Sequence, residues 1–314
     1  MMYGVPKTTS ESGNRLARAI TWAASKQTYA IVRFLVDRDR VNGAYRAYSY
    51  FRWVDDRLDE GGLDASERAA FVARQEELVA RCYRGDWPEG LLPEERLLAD
   101  LIRSDPEPGG GLHAYIHHMM AVMAFDAERR GRLITEPELA DYTRRLATAV
   151  TEALHYFIGH DSSSPQNALR YLAATGAHVT HMLRDMLEDI EAGYVNIPRE
   201  VIESGGVSPL ELRSGAYRAW VMQRVGFARE CFRAGHKYLG EVENGRCRLA
   251  GYAYTARFES VLDAIERDDY RLSAAYPECK TLHAGLSVGQ SVVSQMTNQR
   301  RAVILARPIS PAQR

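Results

Sequence analysis

Over most of the chain, apolar residues recur at spacings of three and four, the period of helices that bury one face. That pattern predicts helices near 12–36, 39–60, 66–84, 92–104, 112–131, 136–159, 166–192, 208–240, 246–268 and 280–304, and no pair of segments reads as strands. The sharpest interruptions are DPEPGGG at 105–111, DSSSP at 161–165 and SGGVSP at 204–209, which have the composition of turns. Neither charge nor composition shifts across them, and no repeat is visible, so a linker between domains is not expected. The expectation is a single all-α domain over 13–305. Residues 1–12 would be a flexible N-terminus that orders only with substrate, and 306–314 a frayed tail.

Two of these helices carry acid where packing is expected. In AYRAYSYFRWVDDRLDE, 44–60, the apolar stripe runs through Ala44, Ala47, Phe51, Val54 and Leu58. Asp55 sits a turn after Phe51 and a turn before Leu58, which faces it towards packed neighbours, and Asp59 lies one turn further on. HMLRDMLED at 181–189 repeats the arrangement with Asp185 and Asp189, in a helix that also holds Ala173, Ala174, Ala177, Met182 and Leu183. His178, His181, Asp185, Glu188 and Asp189 fall at helical intervals and form one polar stripe on this greasy segment.

Carboxylates crowded on partly buried faces repel one another and resist desolvation, so cations must compensate them. Arg52, Arg57 and Arg184 could do so, making each cluster an ordinary paired surface. The recurrence of one arrangement on two apolar helices, each with an arginine just before its first aspartate, favours metal instead. Magnesium suits such oxygen ligands and completes its shell with water and substrate phosphate. Asp55, Asp59, Asp185, Asp189 and Glu188 are therefore the expected Mg2+ ligands, with a diphosphate between the two helices.

Forty basic residues against forty-one acidic ones leave a net charge of −1, so no positive field is available to hold a nucleic acid. The first residues lack a secretion signal, and no run approaches the ~20 apolar residues that cross a bilayer. A cytoplasmic protein is expected, with peripheral membrane contact left open. Cys82, Cys231, Cys247 and Cys279 are too scattered for a zinc or redox motif and read as reduced thiols. His113, His117 and His118 have metal-ligand spacing but no evident third ligand.

The motifs ASKQTY at 24–29, YSYFRWVDDRLDE at 48–60, ELADYTRRLATAV at 138–150, MLRDMLEDIEAGYVNIP at 182–198 and RFESVLDAIERDDY at 257–270 resemble the squalene and phytoene synthase family along nearly the whole chain. The resemblance implies a helical bundle of isoprenoid-synthase type around a central cavity, where two aspartate-rich helices bind magnesium and the diphosphate of a prenyl donor. Asp55, Asp59, Asp185 and Asp189 match the metal-binding positions. Tyr48, Arg52 and Arg184 match residues that contact diphosphate or close the pocket, and Ser25 and Gln27 fall in the motif beside it. Tyr142 and Ala147 match the helix lining the prenyl channel. Phe51 and Trp53 join Tyr48 and Tyr142 as candidates for an aromatic wall that shields an allylic cation.

Several positions depart from the family pattern. Gln27 stands in place of a small hydroxyl residue, His178 and His181 replace a Gln-x-x-Asn pair, and Thr148 and Thr151 replace two channel glycines. Phe258 stands where tyrosine is frequent, and Ala275 where an arginine is expected. An imidazole can take a proton near neutral pH. His178 and His181 therefore point to transfer of a farnesyl-sized group onto a small-molecule acceptor without diphosphate, for which an indole-like aromatic ring is the expectation. The rival expectations are head-to-head coupling with a second prenyl diphosphate, a terpene cyclase, and a non-catalytic scaffold. Survival of both aspartate pairs speaks against the scaffold.

Overall fold

Ser25 breaks the first predicted helix in two. The apolar period runs through it, but its backbone is extended and its side chain accepts from Thr28 N at 3.1 Å. That is an N-cap, so α1 (Lys7–Ala24) ends and α2 (Lys26–Leu35) begins. The computed structural model describes residues 7–276 apart from 60, 61 and 210. Cys279, the helix expected at 280–304 and the tail expected at 306–314 lie outside these residues.

Among the described residues there are eleven helices and no strand. After α1 and α2 come α3 (Val41–Asp59), α4 (Ala65–Tyr83), α5 (Pro93–Arg103), α6 (Gly111–Arg129) and α7 (Glu136–Phe157). The last four are α8 (Leu172–Glu191), α9 (Arg199–Gly205), α10 (Gly215–Glu241) and α11 (Gly245–Arg267). Asp64 and Thr135 open α4 and α7 with reciprocal capping boxes to Glu67 and Glu138.

Helix α8 starts later than its apolar period suggests. Asn167 accepts from Leu169 N at 2.9 Å, and Arg170 is drawn onto Glu152 of α7. These local bonds hold 166–171 as a turn. Likewise Ser214 caps α10, so 211–214 is not helical, and the short α9 escaped the periodicity altogether.

Helix α8 is the central element. It packs against α7, α10 and α11, while α6 packs on α7 and α3 packs on α1, α5 and α6. The α8–α10 crossing is close because Gly235 has no side chain: a Cβ there would come within 2.5 Å of Ala173 N. The loops after α6 and α8 lie side by side, joined by Gly131 N to Gly193 O at 2.8 Å, Arg199 N to Ile134 O at 2.7 Å and a lone bridge between Leu133 and Val195. This pairing places Tyr194 and Asn196 beside the ends of α3, α6 and α8.

Candidate active site

On α3, Arg52 lies 3.5 Å from Asp55 and also pairs with Asp56. Burial, reinforced by the charges of Asp59 and Asp126, pushes the Asp55 carboxyl up to about 7 despite Arg52. Yet 42% of its side chain remains accessible. The Asp55 carboxylate is therefore reachable from solvent even though protein crowds it. Asp59 is more open, and burial raises it against the pull of Arg130 and Arg52.

On α8, Arg184 grips Asp185 through two guanidinium nitrogens, and His181 Nε2 lies 2.8 Å from the same carboxylate. Burial alone would raise Asp185; these partners instead hold it well below the usual carboxylate range. Asp189 behaves oppositely: burial and the charges of Asp185, Asp126 and Glu188 push it up to about 7. Glu188 itself is exposed.

The residue that feels both acidic clusters is Asp126 of α6, which sequence reasoning missed. It accepts from Arg129 Nε at 2.6 Å and from the Tyr142 hydroxyl at 3.0 Å, and burial raises it nonetheless. Arg129 also donates to Asn196 at 2.7 Å, and Asn196 donates to Asp189 at 2.7 Å. A continuous chain thus runs from Tyr142 through Asp126, Arg129 and Asn196 to Asp189. A lone aspartate three residues before an arginine in the apolar AVMAFDAERR stretch was the available signal.

Tyr48 extends the site towards α2. Burial raises its hydroxyl, eased by Arg52 and by hydrogen bonds with Ser25 and Thr28. Gln27 is exposed and accepts from Arg257 of α11 at 3.2 Å. Arg257 lies over the Phe258 ring at 5.7 Å, Tyr254 packs edge-on against Phe258 at 5.2 Å, and His181 faces Phe258 at 6.2 Å. The charges of both Arg257 and Arg184 reach Tyr254, so α11 contributes Tyr254 and Arg257, which the sequence reading did not single out.

The aromatic candidates divide. Tyr142 and Tyr48 border the acidic region, Phe51 is buried edge-on against Tyr115 at 5.2 Å, and Trp53 packs on Phe71 of α4 at 5.5 Å. Ala147, Thr148 and Thr151 are buried along α7, and the Thr148 hydroxyl is returned to Arg144 O at 2.9 Å. Thr151 and Tyr254 line one small cleft between α7, α8, α10 and α11.

His178 corrects an expectation. It is buried edge-on against Tyr142 at 5.0 Å, and neither ring nitrogen has a hydrogen-bond partner among the described residues. Burial pushes its basicity well below the ordinary histidine range, so it is neutral and is not a base poised near neutral pH. His113, His117 and His118 are ordinary ring neighbours along α6, and Cys82, Cys231 and Cys247 are buried free thiols raised by burial to about 11. Among the described residues, no three His, Cys, Asp or Glu side chains converge closely enough to hold an ion alone. No helix there is long and apolar enough to cross a membrane.

The family model for squalene/phytoene synthase matches residues 22–285, most of the chain. The chain belongs to that family. Members are prenyltransferases acting on prenyl diphosphates, and this chain is an enzyme of that type. It is 27% identical to a phytoene synthase of Thermus thermophilus over 256 residues, covering 79% of this chain and 81% of that one. It is 28% identical to a presqualene diphosphate synthase of Zymomonas mobilis over 212 residues, covering 66% and 67%. The fold matches a dehydrosqualene synthase with TM-score 0.72 at 17% identity over 94% of this chain and all of that one. It also matches a squalene synthase of Alicyclobacillus acidocaldarius with TM-score 0.65 at 22% identity, covering 86% and 98%. The expected indole-like acceptor finds no support among these relatives; the head-to-head alternative fits them better.

Proposed function

We propose that this chain joins two prenyl diphosphates head to head, releasing diphosphate and a proton, to give a cyclopropyl diphosphate or, by loss of its diphosphate and a further proton, a phytoene-type hydrocarbon; a squalene-type product would in addition need a hydride donor. The observation that carries this reading is the coupling of two acidic clusters, on α3 and α8, through Asp126 of α6. One polar region is thereby formed against aromatic and apolar walls, as a charged leaving group on a greasy chain requires. The names of two relatives, a phytoene synthase and a presqualene diphosphate synthase, favour the second prenyl diphosphate as acceptor.

The carboxyls fit magnesium as the expected cofactor. Asp55 and Asp189 are raised by burial and by the carboxylates beside them, a combination that a divalent cation relieves. Asp55, Asp59, Asp185 and Asp189 would hold it, Glu188 being more open, with phosphate and water completing the shell. A magnesium ion held by these carboxylates would offset the negative charge of the leaving diphosphate. Arg52 and Arg184 orient the same group, and Tyr48 with Ser25 and Thr28 closes its α2 side. When the C1–O bond of the donor breaks, the bonding electrons leave with diphosphate. The double bond of the second prenyl group then captures the allylic cation, and a proton is lost as the ring closes. Neutral His178 and the Tyr142 ring offer that cation apolar and π surfaces without adding positive charge.

Product analysis tests the reading. Fifteen- and twenty-carbon prenyl diphosphates, each supplied alone with Mg2+, are expected to give a coupled hydrocarbon or cyclopropyl diphosphate. A product formed only when an aromatic acceptor is added, or a cyclic product of one donor, would overturn it.

A further inference from the structure

Between residues 12 and 36 the chain contains Arg15, Arg18, Lys26 and Arg33 and no aspartate or glutamate, although acids make up 41 of 314 residues. All four cations are exposed, as is Arg38 just beyond α2. None of the five makes an ion pair among the described residues, and Arg18 donates only to the Asn42 amide oxygen at 3.1 Å. Two of the largest exposed apolar side chains stand among them: Trp22 is 53% and Phe34 74% exposed. Lys26 lies 5.6 Å from the Trp22 ring centre and Arg33 5.9 Å from that of Phe34. An open groove of about 1010 Å³ unites the two helices, with Arg18 of α1, Arg33 and Phe34 of α2, and Arg38 and Arg246 on its wall. Asp37 and Asp39 also line it. Asp37 is buried and taken up by His160 and Arg246, which leaves Asp39 and the His160-paired Asp161 as the opposing charge.

We propose that the outer face of α1 and α2 is an interfacial surface for an anionic phospholipid bilayer. The arginines and lysine meet lipid phosphates, and Trp22 and Phe34 enter the headgroup boundary. Charge complementarity decides the occupant. Cations without carboxylate partners seek a surface of negative charge, while aromatic rings exposed between them seek an apolar layer directly behind it. A free soluble phosphate would satisfy the first demand and leave the second unmet. The position gives the surface a use that rests on the proposed reaction: Ser25, between α1 and α2, touches Tyr48 of the active site, and a water-insoluble product needs a bilayer to leave into. The surface itself does not depend on which product is made.

Vesicle flotation of the full chain tests it, with equimolar phosphatidylglycerol and phosphatidylcholine against phosphatidylcholine alone. The protein should float with the anionic vesicles only, and high salt should release it. Arg18→Glu with Arg33→Glu, and separately Trp22→Ser with Phe34→Ser, should each lower partitioning about tenfold or more. Met222→Ser with Phe227→Ser, on exposed apolar residues of α10, should leave it unchanged. Diphosphate release in detergent should survive in every variant, so that a failed reaction and a failed surface are told apart. Equal binding to both vesicle types, or α1–α2 variants that bind like the parent, would overturn the proposal.

Discussion

Tyr142 of α7 donates its hydroxyl to Asp126 of α6 at 3.0 Å, while the edge of His178 from α8 rests on the same phenol ring at 5.0 Å. One side chain therefore links the half-buried acid that feels both acidic clusters to the buried face of α8. Removing the hydroxyl leaves Arg129 as the remaining partner of a carboxylate that burial already raises. Tyr142→Phe should lower stability by about 1 to 2 kcal/mol, the effect of leaving a buried acceptor short of a donor. It should also reduce turnover, since Asp126 feeds charge to both clusters. Urea unfolding and diphosphate release measure the two effects; a variant unchanged in both would show that the bond positions nothing.

Asp55 carries a pH signature. Its folded carboxyl sits at about 7 against 3.8 for a free aspartate, so between those values the native chain binds more protons than the unfolded chain. Stability contributed by this group therefore falls as pH rises through that window. Below it both states are protonated and nothing is lost; above it the full penalty persists until a cation relieves it. Without metal, Asp55→Asn should melt at a higher temperature than the parent near neutral pH, and the gap should shrink on acidification and on adding Mg2+ to the parent. A gap that is constant with pH would rule out the raised carboxyl.

Stability and function should diverge at these positions. Asp55→Asn and Asp185→Asn are both expected to lose diphosphate release by roughly a hundredfold or more. The folds should stay intact. Asp185→Asn also strips Arg184 and His181 of their carboxylate, so unlike Asp55→Asn it should not gain stability. Helical circular dichroism with a continuous diphosphate assay checks both, and parent-like turnover in either variant would remove these aspartates from the metal role.

Both acidic pairs were legible because they obey the helical period inside apolar helices, a contradiction of packing that sequence displays openly. Asp126 was not, because a single carboxylate beside an arginine looks like any surface pair until the fold buries it. Asn196 was hidden for a different reason: its role depends on two loops lying side by side, which no local pattern encodes. Ser25 shows the reverse failure, a strong cap overlooked because the apolar period continued across it. His178 was read as a base from its chemistry alone, and the depth of its burial, set by α7 and α8 together, decided otherwise.

Arg170 illustrates a buried charge with structural work. It is 4% exposed and holds Glu152 through two bonds of 2.9 and 3.1 Å, while its Nη1 reaches Tyr238 and Ser164 at 2.9 and 2.8 Å. Burial would raise Glu152, but Arg170 and Tyr171 keep it below the usual range. Glu152→Gln leaves a buried guanidinium without its counter-charge and should destabilise the chain by about 3 kcal/mol or more. Denaturant midpoints measure this directly, and a loss under about 1 kcal/mol would mean that solvent reaches Arg170 freely.

At the α8–α10 crossing, Gly235→Ala sets two effects against each other. Alanine favours a helix over glycine by about 1 kcal/mol. Its Cβ, however, would lie 2.5 to 2.6 Å from Ala173 N, Cα and Cβ, two backbone atoms and a methyl carbon fixed to them, none of which can rotate away. Helix α8 must shift, and overpacking of this kind costs about 1 to 3 kcal/mol. Because α8 carries His178, Arg184, Asp185 and Asp189, the shift should appear in catalysis as well as in unfolding. A lower melting temperature together with impaired diphosphate release is expected, whereas the exposed Gly215→Ala should show only the helix gain or nothing, since no atom lies within 4 Å of its new Cβ. If Gly235→Ala matched the parent in both measurements, the crossing would be yielding rather than fixed, and the position of the acids on α8 would need another support.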